Sequence, residues 1–255
     1  MTSGRKSRAN RAAAPPPVRS GSRKGQRQGS RFWLVAGGVA VLVVAGIAVG
    51  VSLASRGGGG PKPTLDPLST LGTLKPVTTS QKTGPEGIPI PAAAALAPPG
   101  TPAGQSFNGI ECNAGEQLAY HIHAHLTIFD DGVARSIPAG IGIVPPREAQ
   151  TTPAGPFVVG GQCFYWLHTH AADGIVHIES PTKKIYTLGD FFDIWGQPLG
   201  PNRVGPLRGH VTTLYDGKVF VGNPRTVPLE AHAQIQLELG KPLVQPVSIS
   251  NWNGL

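Results

Sequence analysis

The feature that most restricts the architecture of this chain is an uninterrupted apolar segment at residues 32–54. The segment contains 23 residues and no charged side chain. As an α-helix it would be about 34 Å long, enough to cross a hydrocarbon layer of about 30 Å. Phe32 and Trp33 stand at its start, where aromatic residues favour the membrane interface. The sequence therefore predicts a single transmembrane helix.

The charges on the two sides of this segment predict its orientation. Residues 1–31 contain nine Lys and Arg residues and no acidic residue, whereas residues 57–255 contain 12 basic and 14 acidic residues. Because positive charge is retained on the cytoplasmic side, we expect the N-terminus in the cytoplasm and the C-terminal part outside. A cleaved signal peptide ending at Ala54 is the alternative, although the apolar run exceeds the roughly 7–15 residues of a signal sequence.

Composition divides the rest of the chain into three parts. We expect residues 1–31 to be a disordered basic tail, because they contain almost no large apolar side chains. Residues 55–105 begin near a run of four glycines and are rich in proline, which predicts an extended linker. Residues 106–255 form the expected folded domain, an ordinary size for one core. The net charge of +8 belongs to the tail, so the folded part gives no reason to expect nucleic acid, and the expected partner is the membrane that the apolar segment crosses.

Within the predicted domain, the pattern is that of β-strands. Residues 118–129 alternate between apolar and polar side chains, and Asp131-Gly132 is a hairpin-turn signal. Residues 187–196 predict one short helix with a capping box at its start and a glycine at its end. In residues 229–239, His232, Gln234, Gln236 and Glu238 share a polar face that we expect to be solvated. These patterns predict a mainly β fold, a β-sandwich or a small barrel with one short helix.

The candidate functional residues are histidines, and all eight lie in this domain. Side chains in a strand repeat every two residues, so H-x-H spacing places imidazoles on one face. In the next hairpin, His177 faces His168 if the loop has four residues and His170 if the turn has two. The six histidines that we assign to one set are His121, His123, His125, His168, His170 and His177.

Neutral imidazoles that converge in this way are typical ligands of zinc and copper. Glu179, on the His177 face, is either an additional ligand or a solvated carboxylate, and His210 is a further possible ligand. We interpret His210 and His232 as structural, with completion of the site by either one as the alternative, and Asp173 as a turn residue. The alternatives to a metal site are a pH-sensitive histidine cluster and histidines that are merely polar residues on exposed strand faces.

The domain contains two cysteines, Cys112 and Cys163. In an exported domain they are expected to form a disulfide. Ligation of a metal by the thiolate of Cys163 is the less favoured alternative, because Cys163 and His168 would point to opposite faces of a strand.

The string from His121 to Gly196 resembles a group of prokaryotic membrane-anchored proteins. The resemblance lies in HxHxH, in LHTH (residues 167–170) followed by GIVH (residues 174–177), and in TLGDFFDIWG (residues 187–196). It implies that the six histidines form one set, but it implies neither a metal nor an activity.

Three functions are compatible with these patterns. The first is a membrane-anchored extracytoplasmic domain that binds copper or zinc through strand histidines. The second is a metal-dependent hydrolase or oxidoreductase at the same site, although no G-x-S-x-G, H-E-x-x-H or P-loop motif occurs. The third is a cell-envelope interaction module without metal. The sequence indicates no particular protein partner.

Overall fold

A computed structural model describes residues 62–78, 82–100 and 104–255. These ranges lie in one compact unit, Ala54–Leu255. The predicted tail at residues 1–31 and the predicted transmembrane helix at residues 32–54 lie outside the described ranges. Within those ranges, no helix has the length and hydrophobicity needed to cross a bilayer.

The described part of the chain is built mainly from strands, with one α-helix (α1, Leu188–Trp195) and two 3₁₀ turns, Leu68–Leu71 and Pro224–Thr226. The strands are Leu65–Asp66 (β1), Cys112–Asn113 (β2), Tyr120–Asp130 (β3), Val133–Arg135 (β4), Glu148–Thr152 (β5), Gly155–Gly160 (β6), Phe164–Tyr165 (β7), Leu167–His168 (β8), Ile175–Ser180 (β9), Tyr186–Thr187 (β10), Leu199–Gly200 (β11), Arg203–Val204 (β12), Leu207–Arg208 (β13), Val211–Tyr215 (β14), Lys218–Phe220 (β15), Pro228–Leu229 (β16) and Gln234–Leu239 (β17).

One eight-stranded sheet organises the fold. Its strands lie in the order β1-β15-β14-β17-β3-β9-β8, and β4 pairs with β3 beside β9. β3 runs parallel to β17 and antiparallel to β9. The remaining sheets of the described part have two or three strands each. The mainly β class with one short helix is thus confirmed, whereas the small barrel is wrong, because the described edge strands β1 and β8 do not pair and the sheet stays open.

The core lies against the face of β3 that carries its apolar side chains. Ala124, Leu126 and Ile128 are all at most 1% exposed. Helix α1 packs into the same core with the aromatic side chains of Phe191, Phe192 and Trp195, and these belong to the same buried cluster. The opposite face of β3 carries histidines, as the alternation predicts.

The helix begins and ends where the sequence predicts. The Thr187 side chain accepts a hydrogen bond from the Asp190 backbone N–H, and the Asp190 carboxylate accepts one from the Thr187 backbone N–H, which completes a capping box. Gly196 follows the helix in a left-handed conformation. Capping of this kind fixes where α1 meets the sheet.

The expectation of a solvated polar face is wrong at Gln236 and Glu238, although His232 is exposed and Gln234 is only partly buried. Gln236 and Glu238 are 3% and 1% exposed. Their side-chain oxygens accept hydrogen bonds from the backbone N–H groups of Val247 and Val244, both at 2.8 Å. These side chains therefore accept hydrogen bonds from the backbone of the C-terminal segment and hold that segment against the face of the sheet.

Part of the segment expected to be a linker packs on this unit. Strand β1 pairs with β15 at the edge of the main sheet. Ile88 and Leu96 are 1% and 6% exposed, and the carboxylate side chain of Glu86 is buried as well. Residues from this upstream segment therefore reach the face of the sheet that carries the histidines.

Candidate metal centre

Three neighbouring strands bring the histidines together. β3, β9 and β8 are adjacent, and their register places His123 opposite His177, and His177 opposite His168. Of the two alternatives for His177, the one with a four-residue loop, in which His177 faces His168, is therefore correct. His121 lies opposite Glu179 on the same face. The two halves of the predicted histidine set thus share one face of one sheet.

The backbone around the site fixes the rings of His168 and His170. Nδ1 of His168 lies 2.9 Å from the carbonyl oxygen of Tyr165, and Nδ1 of His170 contacts the carbonyl oxygen of Val158. The Phe157 ring stacks on His170, with ring centroids 4.7 Å apart. Gly142 allows close packing at His168, since a Cβ at this glycine would lie 2.9 Å from the Cβ of His168. Both imidazoles are therefore held in one orientation.

These contacts also fix which ring nitrogen carries the proton. A carbonyl oxygen can only accept, so Nδ1 of His168 and of His170 must each donate. In a neutral imidazole the lone pair then lies on Nε2. Burial lowers the pKa of His168 well below its usual value and also lowers that of His170, which favours the neutral rings.

The two Nε2 lone pairs point at each other. Nε2 of His168 lies 3.1 Å from Nε2 of His170, and Oε2 of Glu179 lies 3.9 Å from Nε2 of His168. This carboxylate oxygen is buried and has no hydrogen-bond partner among the described residues. Three acceptors that converge without a donor repel one another, and a bound cation would turn that repulsion into attraction. Two nitrogen ligands of a tetrahedral zinc ion are about 3.3 Å apart, close to the separation seen here.

His177 lies at the centre of the cluster between two carboxylates. Its Nε2 is 2.6 Å from Oε1 of Glu86, and its Nδ1 is 3.3 Å from Oε1 of Glu179. Burial acts to lower the pKa of His177, but hydrogen bonds to Glu179 and Glu86 outweigh burial and raise the pKa to about 9. A carboxylate that accepts from one ring nitrogen also orients the other nitrogen towards a metal, so Glu86 is placed as a supporting residue.

The potential ligand atoms form two overlapping groups. We call His168, His170, His177 and Glu179 the inner group, because all four are buried. We call His121, His123 and His177 the outer group, in which His121 is 39% exposed at its side chain. The ligand atoms within each group lie within 4.8 Å of one another. Each group could therefore hold a metal ion, and His177 belongs to both.

In the outer group the contacts are equally short. Nε2 of His123 lies 2.9 Å from Nε2 of His121 and 3.1 Å from Nδ1 of His177. Burial and the neighbouring histidines, His177 first, lower the pKa of His123 to about 3. His123 is therefore a neutral ring with two nitrogen neighbours.

His125, the third histidine of the HxHxH motif, is not part of either group. Its strand partner on β9 is Ile175, and its Nε2 lies 2.9 Å from the carbonyl oxygen of Asp173. Gly174 makes this contact possible, because a Cβ there would lie 2.4 Å from the carbonyl oxygen of Leu126. The structure therefore separates His125 from the other five histidines of the predicted set.

The burial of His125 predicts a pH-dependent loss of stability. Burial lowers its pKa to about 4, whereas the unfolded chain takes up the proton near the ordinary value of 6.5. The unfolded state then binds more protons between these values, so stability falls as pH falls through this window. Between about pH 7 and pH 5 the loss amounts to about 2 kcal/mol from this residue.

His125→Gln keeps a donor for the Asp173 carbonyl and removes the titration. Denaturant unfolding at the two pH values is expected to show a pH dependence about 2 kcal/mol smaller in this variant than in the native chain. An unchanged pH dependence would contradict the assignment.

The remaining candidate residues lie in different surroundings. His210 is exposed and belongs to neither group. His232 is exposed too; its Nε2 contacts the carbonyl oxygen of Leu255 and its ring stacks on Trp252, in agreement with a structural role. Asp173 is 1% exposed, and burial and the Glu86 carboxylate raise its pKa to about 8.

A cavity of about 330 Å³ lies next to His125 and Asp173. His125 and Asp173 line this cavity, together with apolar residues such as Ile88 and Ile249. None of the five clustered histidines lines it. Solvent instead reaches the cluster at the partly exposed His121.

The predicted disulfide between Cys112 and Cys163 is present. It joins β2 to the residue that precedes β7, next to the strand that carries His168. Since both sulfur atoms are used in this bond, neither is a thiolate ligand, and the alternative of thiolate ligation is wrong.

Two acidic residues at the cluster were not among the sequence candidates. Glu86 contacts His177, as described, and Oε1 of Glu116 lies 3.4 Å from Nε2 of His170. Both precede the histidine motifs in the chain, and neither belongs to a periodic pattern, so no sequence signal would have selected them.

No protein-family model matches this chain, and no curated protein or solved structure shows significant similarity to it. The geometry of the cluster is therefore the basis for any function.

Proposed function

We propose that this protein is a membrane-anchored, extracytoplasmic metal-binding protein whose β-domain holds copper or zinc at the inner group. His168, His170 and His177 would supply nitrogen ligands and Glu179 an oxygen ligand. Glu86 would orient His177 from outside the coordination sphere. Glu116, a third of whose side chain is exposed, lies close enough to His170 to support the inner group as well.

One observation carries this proposal: the Nε2 lone pairs of His168 and His170 face each other at 3.1 Å while both Nδ1 atoms donate to backbone carbonyls. A protonated His170 would relieve the repulsion, but burial opposes that charge. At the His168 and His170 pair, a pH-sensitive cluster without metal is the weaker interpretation, because it would need a proton on one of two rings whose burial disfavours it.

The choice of copper or zinc follows from the ligand atoms. Imidazole nitrogen suits zinc, copper, iron and nickel, and divalent affinities rise to a maximum at copper. A carboxylate beside three imidazoles is compatible with zinc at the same site. The expected position outside the cytoplasm is supported by the Cys112–Cys163 disulfide, since such bonds persist in oxidising compartments.

Elemental analysis of the purified full chain tests the proposal. After exposure to copper or zinc and removal of free ion, the native chain is expected to retain at least about one equivalent of metal. His168→Ala combined with His170→Ala is expected to lose the ion of the inner group. His210→Ala is the matched control, because it also removes an imidazole, and it should retain the native content. A native chain that retains no metal, or a double variant that retains all of it, would overturn the proposal.

A further inference from the structure

The carboxylate of Glu179 lies between the two ligand groups. Its Oε1 is 3.1 Å from Nε2 of His121 and 3.3 Å from Nδ1 of His177. Its Oε2 instead faces His168 at 3.9 Å. The two oxygens of one buried side chain are therefore directed towards different histidines.

One ion is too small to use all of these ligands. Two ligands on opposite sides of a single ion are separated by about twice the bond length, or about 4.2 Å. The described histidines do not merge into one set of mutually close atoms: His168 and His170 belong to the inner group, and His121 and His123 belong to the outer group. A single ion bound at the inner group would therefore leave His121 and His123 without a metal, and a single ion at the outer group would leave His168 and His170 without one.

His177 can serve only one ion through the nitrogen that faces the cluster. Its Nε2 is occupied by Glu86 at 2.6 Å, which leaves Nδ1 as the ligand atom. Nδ1 lies 3.1 Å from Nε2 of His123, so His177 completes the outer group. The inner group then keeps His168, His170 and Oε2 of Glu179, a buried oxygen without a hydrogen-bond partner among the described residues.

We propose that the cluster holds two metal ions bridged by the Glu179 carboxylate, one at His168 and His170 and one at His121, His123 and His177. This inference rests on the proposed function and refines it, because it divides the same cluster between two ions and assigns His177, which belongs to both groups, to the outer ion. The second ion lies on the side of the cluster that solvent reaches, at the partly exposed His121. It is therefore the more readily exchanged of the two.

Zinc stoichiometry of the full chain tests this inference. The chain is depleted with a chelator, loaded with excess Zn²⁺, freed of unbound ion and analysed for zinc per chain. The native chain is expected to bind about two ions, and His121→Ala combined with His123→Ala is expected to bind about one. The single variant His121→Ala guards against misfolding, since its side chain is partly exposed, and it should release the outer ion at a lower chelator concentration than the native chain. His210→Ala is the matched control, because His210 is exposed and belongs to neither group, and it should keep both ions.

The outcomes separate this inference from the proposed function. One zinc ion in the native chain, lost in the variant of His168 and His170 but not in that of His121 and His123, would overturn the two-ion arrangement and leave the metal site in place. No zinc in the native chain would overturn both. Two ions in the native chain and two in the variant of His121 and His123 would overturn the assignment of the second ion to the outer group.

Discussion

Saturating the metal-depleted chain with zinc is expected to raise its free energy of unfolding by about 4 kcal/mol when free zinc is about 1,000 times the dissociation constant. The ion binds the folded chain because only the fold brings β8 and β9 together at His168 and His177. It also relieves the repulsion between the Nε2 atoms of His168 and His170. For a domain of this size, the midpoint of thermal unfolding should rise by about 8–16 °C.

Variants show whether this stabilisation comes from the proposed site. In His168→Ala combined with His170→Ala, the zinc-dependent rise in the unfolding midpoint is expected to be clearly smaller than the native rise, and the rise that remains is due to the ion of the outer group. His210→Ala should behave as the native chain does, because this exposed residue contacts neither group. Thermal unfolding followed by circular dichroism gives the measurement. An equal rise in the native chain and the double variant would place the zinc elsewhere.

Removing the disulfide is expected to be the second large effect. Cys112 and Cys163 are 51 residues apart, and closing a loop of that length lowers the entropy of the unfolded chain. Loop-closure entropy predicts that Cys112→Ser combined with Cys163→Ser destabilises the fold by about 4 kcal/mol. Denaturant unfolding without reductant should show this loss as a lower midpoint.

Adding reductant provides the control for the disulfide. It should lower the midpoint of the native chain towards that of the double serine variant and leave the variant unchanged. A loss below about 1 kcal/mol in the variant would mean that the cross-link contributes little beyond the packing of β2 on β7.

The parts of the site that the sequence predicts are those with a fixed local period. In a strand, two-residue spacing places His121 and His123 on one face whatever the rest of the chain does. The capping box at Thr187 and Asp190 is similarly local, and so is the glycine that ends α1. The disulfide was predictable for a different reason, because the chain contains only two cysteines.

Contacts between distant segments were not predictable. Glu86 lies 91 residues before His177, in a segment whose proline content favours an extended linker. Its position depends on the packing of neighbours such as Ile88, and this packing has no periodic signature. The sequence pattern therefore does not identify Glu86, whose carboxylate contacts His177.

At two positions the alternation alone does not set the surroundings of a side chain. His125 shares the spacing of His123, but the turn at Gly174 supplies a backbone carbonyl to it instead of a second imidazole. Gln236 and Glu238 look like a solvated face, yet the C-terminal segment covers them and takes up their hydrogen-bonding capacity. In both cases the covering element comes from another part of the chain, so the period correctly predicts the face but not what packs on it.

Anomalous X-ray diffraction from crystals of the zinc-loaded full chain, measured at the zinc absorption edge, is the most direct test of the metal site. The structure predicts an anomalous peak about 2.0–2.1 Å from both Nε2 of His168 and Nε2 of His170, on the side of Glu179. A peak confined to surface residues such as His210 or His232, or the lack of any peak in fully loaded crystals, would contradict the assignment of a metal to this cluster.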